Sequence, residues 1–493
     1  MSQLTNDLGL DMSKQKNVGK AEFILYMLGV FFYTCMTGMI GEYRNKAYVV
    51  NVLRLDENTA GLYNSLLTVL PFVINFFIAM YIDNRKVGKG GKFRPLALYS
   101  AIPTGIILVL SFWMPGFIKA DAAKLVYLVV IGLLWALFTN FANSTNMIAI
   151  VMTPNMKERD QVMSFRGIFS AVGNSAPLVI VLVLGMIIKK LNGGVESERL
   201  NYFWGAVLCA IVGVVFMMLG MGKAKERVTY KAEKKNPIEG FGIILKNKYA
   251  RFIILSDALK NFRQISTFMG IFLAAALLGS TSKYLLFGLP TGIGTAVGML
   301  VINFLLKKFD SRTLYIASGI YSIIANTIAF SVGYAYFKTE SSVLQIVFIV
   351  TLFLIGLQFG ASNLLPTMFQ ADVLEDIEYE TGKRLDASLP FVIGIGTMIS
   401  GTIANYFAPK ILYGENSIIH YVQPQFDGDV PVQSQSTKIR LLFFYTIFHG
   451  MMMLLAGLPF IFYKLTGETK EAMHNALMEK RKTYGEAAEA AEA

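Results

Sequence analysis

Four polar residues recur at helical spacing inside an apolar stretch of the chain: Asp257, Lys260, Asn261 and Gln264. Residues three, four and seven positions apart share one face of an α-helix, and Arg263 lies beside that face. Charges and amides in an apolar helix usually face a water-filled cavity or a partner. We therefore expect these side chains to line a cavity that binds a polar solute. A local ion pair between Asp257 and Lys260 is the alternative.

A second polar face lies in another apolar stretch. Thr139, Asn143 and Asn146 share it, with Asn140 and Ser144 adjoining. Neutral amides and hydroxyls both donate and accept hydrogen bonds, as the hydroxyls of a sugar do. The cluster therefore predicts sugar binding, and hydrogen bonding between helices is the competing explanation.

Three charges interrupt the first apolar stretch: Glu42, Arg44 and Lys46. Glu42 and Lys46 stand four apart and can pair with each other on one helix face, whereas Arg44 needs another partner. The alternative is a place at the membrane interface, where long side chains reach outwards to water. Glu42 and Asp257 are the acids of these apolar stretches, and are therefore the candidates for coupling a proton to the solute.

The elements that position these residues are long apolar segments. Of the 493 residues, 54% are hydrophobic and only 16% are charged, against about 25% charged in soluble domains. A membrane crossing needs roughly 20 apolar residues, and such segments recur twelve times. The predicted spans are 20–50, 60–82, 96–118, 124–152, 166–188, 201–222, 252–279, 284–306, 312–336, 343–368, 387–413 and 440–464. The chain is therefore predicted to be an all-α polytopic membrane protein.

Basic residues set the predicted orientation. The net charge is +12, and the Lys and Arg residues concentrate in the loops after even-numbered spans and in a central linker. The positive-inside rule then places both termini in the cytoplasm of a cell-membrane protein, so this charge reflects topology and not nucleic-acid binding. The linker divides the spans into two six-helix halves. The predicted parts are a tail 1–19, a bundle 20–222, the linker 223–251, a bundle 252–464 and a tail 465–493.

The remaining composition argues against catalytic and metal chemistry. Cys35 and Cys209 both fall inside apolar spans, and the histidines (His420, His449 and His474) share no metal-ligand spacing. No phosphate-binding loop is present in the sequence. We expect no metal, no cofactor and no enzymatic activity.

Three motifs occur in order at the predicted loops: residues 83–95 ending in Gly-Lys-Phe-Arg-Pro, residues 156–166, and residues 371–384. Together they resemble the glycoside–pentoside–hexuronide cation symporters, the melibiose-carrier branch of the major facilitator superfamily, over about residues 20–465. The resemblance implies a major facilitator fold that moves a sugar or glycoside by alternating access of its two halves.

The chain departs from this family where a coupling cation would bind. Aligned back from the first motif, the two span-two carboxylates of the family fall on Phe72 and Phe76, with Asn75 between them. The span-four acid falls near Ala142, and the span-eleven lysine near Met398. Sodium prefers oxygen ligands, as hard cations do. We therefore expect the family's Na⁺ site to be absent, and H⁺ is the remaining candidate for a coupling ion.

The resemblance also assigns roles to residues in and near the motifs. Arg166 aligns with a sugar-contacting arginine, although it could equally be a charge that sets topology. Asn363 falls where the family places an aromatic sugar platform. The acids around the third motif are implied to form ion pairs with basic loops that stabilise one gate, the alternative being a solvated acidic loop. The predicted cytoplasmic gate residues are Asp83, Arg85, Arg94, Arg159, Asp372, Asp376 and Arg384.

These observations predict a secondary active or facilitative sugar transporter. Basic side chains without an assigned partner favour an anionic substrate such as a uronide, because a carboxylate pairs well with arginine. A lysolipid carrier of the same fold and a membrane-embedded enzyme acting on lipid-linked sugars are the alternatives. Apart from a sugar and the lipid bilayer, no partner is expected. The predicted substrate-binding residues are Arg44, Thr139, Asn140, Asn143, Asn146, Arg166, Lys260, Asn261, Arg263, Gln264 and Asn363.

Overall fold

The computed structural model describes residues 15–85, 88, 90–228, 240–383, 385 and 388–492, without the side chains of 83, 84 and 480–492. Within these residues, twelve helices are long and apolar enough to cross a membrane, as predicted. Helices α1 to α6 are Lys20–Val52, Glu57–Ile82, Arg94–Ser111, Asp121–Val151, Met156–Leu191 and Glu198–Lys223. Helices α7 to α12 are Lys248–Leu278, Thr281–Leu305, Ser311–Thr339, Ser342–Thr381, Ser388–Leu412 and Gln435–Phe462. A polar helix, α13 (Gly467–Glu492), follows.

Two of the predicted loops are helical. Helix α5 begins at Met156, where the Asn155 side chain accepts a hydrogen bond from the backbone N–H of Glu158. Helix α10 continues to Thr381 and ends at Gly382, whose φ of 68° is left-handed, a common helix terminator. The second and third motifs therefore lie largely on helices that extend beyond the apolar spans.

The helices pack as two halves. In the first half α1 packs against α5 and α6, and α3 packs against α4 and α6. In the second half α10 packs against α8 and α9, and α12 packs against α7 and α9. The halves meet where α2 contacts α11 and where α5 contacts α8. At the crossing of α8 and α10, Gly298 lies so close to the Leu357 carbonyl that a Cβ would overlap it, as expected of small residues between membrane helices.

Several helices depart from regular α-helical geometry inside the bundle. Helix α1 continues as a π-helix over Ile40–Val52, and helix α4 breaks at Asn143. Helix α7 breaks at Phe262 and Arg263, and helix α12 breaks at Thr446. Such interruptions often mark functional positions.

The bundle has two ends. We call the end that holds the start of α1 and the end of α12 the terminal end, and the opposite end the distal end.

Candidate functional site

A cavity of about 440 Å³ lies between the two halves, and we call it the central cavity. Its wall is formed by α1, α2, α7 and α11, so both halves contribute. Most of the wall is polar. The lining residues are Gly41, Glu42, Asn45, Lys46, Asn64, Leu67, Thr68, Asn261, Arg263, Gln264, Thr267, Phe268 and Asn405.

Arg263 is the cation of this wall that lacks an acid. It lies at the break in α7, and its guanidinium carbon is 4.9 Å from the centre of the Phe359 ring. Among the residues that the structure describes, no carboxylate or hydrogen-bond acceptor pairs with its guanidinium. A guanidinium presents several N–H donors in a fixed plane, which suits the oxygens of an anion. The cavity therefore offers an anion a partner that the protein itself leaves unpaired.

The other members of the predicted α7 face separate into two groups. Asn261 donates to the Thr397 carbonyl at 2.6 Å and so connects the cavity wall to α11. Gln264 donates to the Asn261 side chain on its own helix. Asp257 and Lys260 form an ion pair with each other and do not line the central cavity. The structure thus contains the local ion pair between Asp257 and Lys260, which the sequence analysis gave as the alternative to a cavity-lining role.

The charges of α1 also separate. Lys46 pairs with Glu42 at 3.1 Å, and both line the central cavity and not an outer edge of the bundle. Arg44 is buried within the first half, where its guanidinium donates to Asn45 at 2.9 Å and to Ser111 at 3.3 Å. Arg44 therefore does not face the central cavity, contrary to the expectation that it contacts a substrate.

A smaller cavity of about 240 Å³ adjoins the central one, and we call it the side cavity. Glu42 and Thr267 belong to the walls of both cavities. The rest of its wall comes from α5, α7, α8, α10 and α12, and it includes Phe359 and His449. The His449 and Phe359 rings meet edge to face, with their centres 5.2 Å apart.

The predicted residues of α4 and α5 form a separate polar cluster beside α1. Asn143, at the break in α4, accepts a hydrogen bond from the Tyr33 hydroxyl at 2.7 Å. Arg166 donates to Asn146 at 2.8 Å. Thr139 donates to the Trp135 carbonyl of its own helix at 2.6 Å. None of the predicted residues in this cluster lines the central cavity.

Aromatic rings pack together at the two positions that the sequence comparison aligns with the family's cation ligands. Phe72 stacks on Phe391 with ring centres 5.9 Å apart, and Phe76 lies 5.5 Å from the same ring. Asn75 accepts a hydrogen bond from Asn140, which connects α2 to α4. Asn363 lies exposed on α10, one helical turn from Phe359.

For four of the predicted gate residues the structure gives side-chain partners, and none of these partners belongs to the opposite half. Asp372 pairs with Lys470 of α13 at 2.7 Å, and Asp376 accepts from Asn247 at 2.7 Å. Arg94 donates to the Met221 carbonyl at 2.8 Å. Arg85 donates to the carbonyl of residue 92, and Arg159 lies near the start of α5. The Asp83 side chain and Arg384 fall outside the described residues.

Hydrogen bonds between the halves close the distal end. The Thr281 hydroxyl of α8 donates to Glu198 of α6 at 2.6 Å and lies 2.7 Å from the Tyr202 hydroxyl. The Tyr413 hydroxyl donates to the Leu55 carbonyl at 3.0 Å. Burial raises the pKa of Tyr413 above its usual value, so this hydroxyl keeps its proton and remains a donor. These bonds therefore hold the two halves together at the distal end.

Five polar residues of the cavity wall were absent from the sequence prediction: Asn45, Asn64, Thr68, Thr267 and Asn405. Asn405 of α11 donates to Thr68 of α2 at 2.9 Å, which joins the two halves. Asn64 and Thr68 stand one helical turn apart, and this spacing is the signal that could have identified them.

Comparison with known proteins agrees with this geometry. A family model described as MFS/sugar transport protein matches residues 18–467. The candidate glycoside/cation symporter YagG of Escherichia coli strain K12 is 25% identical over 459 residues, covering 89% of this chain and 91% of YagG. A candidate sulfoquinovose importer of the same strain is 24% identical over 423 residues, covering 82% of this chain and 84% of the importer.

Solved structures share the fold. The inward-open xylose transporter XylE from E. coli superposes with a TM-score of 0.59 at 15% identity, over 93% of this chain and 98% of XylE. The nucleoside transporter NupG gives a TM-score of 0.58 at 16% identity, over 90% of this chain and 100% of NupG. The protein is thus a multi-pass membrane transporter and not an enzyme. It belongs to the MFS/sugar transport family, in the branch that resembles the glycoside–pentoside–hexuronide symporters.

Proposed function

We propose that this protein carries a sugar or glycoside with an anionic group through the central cavity, by alternating access of its two halves. The observation that carries the proposal is Arg263, a residue of the cavity wall whose guanidinium has no acid or acceptor among the described residues. Leaving a charge unpaired in a protein interior is unfavourable. An anionic substrate would supply the missing partner.

The rest of the wall suits the remainder of such a substrate. Amides and hydroxyls from both halves face the cavity, among them Asn64, Asn261 and Asn405, and each can donate to or accept from a sugar hydroxyl. The volume of about 440 Å³ falls in the range of about 300–1,000 Å³ that small-molecule sites occupy. An acyl chain would need an apolar wall, and this polar lining therefore favours a sugar over a lysolipid.

The names of the relatives support an anionic substrate. The candidate importer described above is named for sulfoquinovose, a sulfonated sugar. A sulfonate and a carboxylate both present oxygens that a guanidinium can bind with more than one hydrogen bond. We therefore extend the proposed substrate class to sugars that carry either group.

The orientation follows from charge. The linker and the loops at the terminal end are rich in Lys and Arg, so the positive-inside rule places this end in the cytoplasm. With that orientation, the distal end, where the halves are bonded together, would face outwards, and we infer an inward-facing state. The gate residues at the terminal end would pair across the halves only in the opposite, outward-facing state.

Sodium is not proposed as the coupling ion, because Phe72 and Phe76 stand where the family has carboxylates. Glu42 is the proposed proton-coupling acid. It lines both cavities, so its protonation can respond to a bound substrate, whereas Asp257 lies outside both walls. If Glu42 does not take up a proton during transport, facilitated diffusion remains as the mechanism.

The experiment replaces Arg263 and measures substrate preference. Arg263→Gln removes the charge and should lower uptake of an acidic sugar relative to a neutral one by about 10- to 150-fold, since a hydrogen bond to a charged group contributes about 1.5–3 kcal/mol. Arg263→Lys should recover only part of the preference because lysine lacks the planar donor set. Arg199→Gln, at an exposed arginine outside the central cavity, is the matched control. Unchanged preference in Arg263→Gln would reject the proposal.

A further inference from the structure

Two residues of the side cavity wall have a buried polar atom without a partner among the described residues. His449 is 4% exposed and its Nε2 atom has no hydrogen-bond partner there; Ser266 is 1% exposed and its hydroxyl has none either. Both residues line the side cavity. Buried polar atoms are nearly always paired in folded proteins. Two such residues in one cavity wall are therefore available to bond a polar group that enters the cavity.

The side cavity is also placed to receive part of a substrate held in the central cavity. The two walls share Glu42 and Thr267. The Phe359 ring lies between Arg263 and His449: the guanidinium lies over the ring, and the imidazole meets it edge to face. A ligand whose anionic group binds Arg263 can thus extend past Phe359 towards His449.

The chemistry of the side cavity matches a sugar ring. Aromatic side chains, Phe287, Phe359 and Tyr445 among them, supply apolar surface, while His449 and Ser266 supply polar atoms. The volume of about 240 Å³ corresponds to about eight water molecules at about 30 Å³ each, so the space is larger than a solvation pocket requires. Aromatic surface combined with a few polar groups is typical of sites that bind small polar molecules.

We propose that the side cavity is a second sugar subsite, which takes the ring linked to the acidic unit bound at Arg263. The inference rests on the proposed function and makes it narrower: the preferred substrate is an acidic disaccharide or glycoside and not an acidic monosaccharide. Ser266 and His449 donate to or accept from hydroxyls of this second ring.

Glycines in the two walls permit a matched test. Gly292 lines the side cavity and Gly41 lines the central cavity, and a Cβ at either position would meet no atom within 4 Å. Gly292→Leu therefore fills the side cavity without an immediate clash, and Gly41→Leu does the same in the central cavity. Gly292→Ala is the control for the loss of glycine itself.

The experiment measures uptake of a labelled acidic disaccharide and of its acidic monosaccharide into vesicles that contain the full-length protein. The wild type should carry both. Gly292→Leu should lower disaccharide uptake by about tenfold or more, which is the loss expected when a hydrogen-bonded contact is removed. The same variant should leave monosaccharide uptake at the wild-type level. Gly41→Leu should lower both. Ser266→Ala and His449→Phe, which remove single polar groups, should weaken disaccharide uptake selectively even if Gly292→Leu does not fold.

The outcomes separate the two proposals. If the wild type carries the sugars but Gly292→Leu, Ser266→Ala and His449→Phe leave the ratio of disaccharide to monosaccharide uptake unchanged, the subsite is refuted and the proposed function stands. If the wild type carries neither sugar, the proposed function fails, and the subsite that rests on it fails as well.

Discussion

Replacing Thr281 by valine should open the distal end of the protein. The Thr281 side chain is fully buried, and its hydroxyl bonds Glu198 and Tyr202 of the other half at 2.6 and 2.7 Å. Valine keeps the shape of the side chain and removes the hydroxyl. Because these bonds join the two halves, they stabilise only the conformation in which the distal end is closed.

The size of the effect follows from the two hydrogen bonds that are lost. A hydrogen bond contributes about 0.5–1.5 kcal/mol to the state that contains it, so the two contribute about 1–3 kcal/mol. Their loss should therefore shift the balance between closed and open distal ends by about 5- to 150-fold towards the open state. The shift should not exceed this range, since the other distal bonds, such as that of Tyr413 to Leu55, remain.

Thiol accessibility measures the shift directly. A cysteine at Gly41, in the wall of the central cavity, can be labelled with a membrane-impermeant maleimide added from the distal side. Background should be low because Cys35 and Cys209 are buried. Thr327→Val is the matched control: its hydroxyl is exposed and bonds the Ile323 carbonyl of its own helix at 2.7 Å. Equal labelling rates in Thr281→Val and in this control would refute the reasoning.

Two further predictions concern coupling and packing. Glu42→Gln should abolish accumulation driven by a proton gradient and preserve exchange of labelled for unlabelled substrate. Asp257→Asn should preserve both accumulation and exchange. The reverse pattern would assign the coupling role to Asp257. Gly298→Ala should lower the unfolding free energy by about 1–3 kcal/mol, the usual effect of overpacking, because its Cβ would overlap the Leu357 carbonyl. Thermal unfolding in detergent checks this, with Gly292→Ala on the same helix as the control that should show no such loss.

The sequence predicted the fold because the membrane imposes a simple rule. Each crossing must be apolar over its full length, so hydropathy alone located all twelve helices among the described residues. Hydropathy does not report where a helix continues into water. The helix ends at Asn155 and Gly382 depend on capping and on a left-handed residue, and for this reason two helical segments were mistaken for loops.

The site was only partly predictable. Asn261, Arg263 and Gln264 follow from spacing on one helix, but the same argument assumed an unbroken α7. The break at Phe262 and Arg263 separates that face into a part that lines the cavity and the Asp257–Lys260 pair. Periodicity within one helix also cannot reveal which helices meet.

The polar residues that α2 and α11 add to the cavity wall show that the sequence does not reveal which helices meet. Thr68 and Asn405 lie far apart in the chain, and they share the cavity wall only because α2 packs against α11. Thr139 shows the converse: a polar residue on a predicted face can bond a carbonyl of its own helix and take no part in the cavity.

Uptake of a labelled acidic sugar and of a neutral disaccharide by reconstituted vesicles, with and without sodium and proton gradients, tests the central claim most directly. The account predicts uptake of the acidic sugar in preference to the neutral one, without any requirement for sodium. Accumulation driven by a proton gradient would assign the coupling to a proton, and equilibration without either gradient would indicate facilitated diffusion. Stimulation by sodium, or preference for the neutral sugar, would contradict the account.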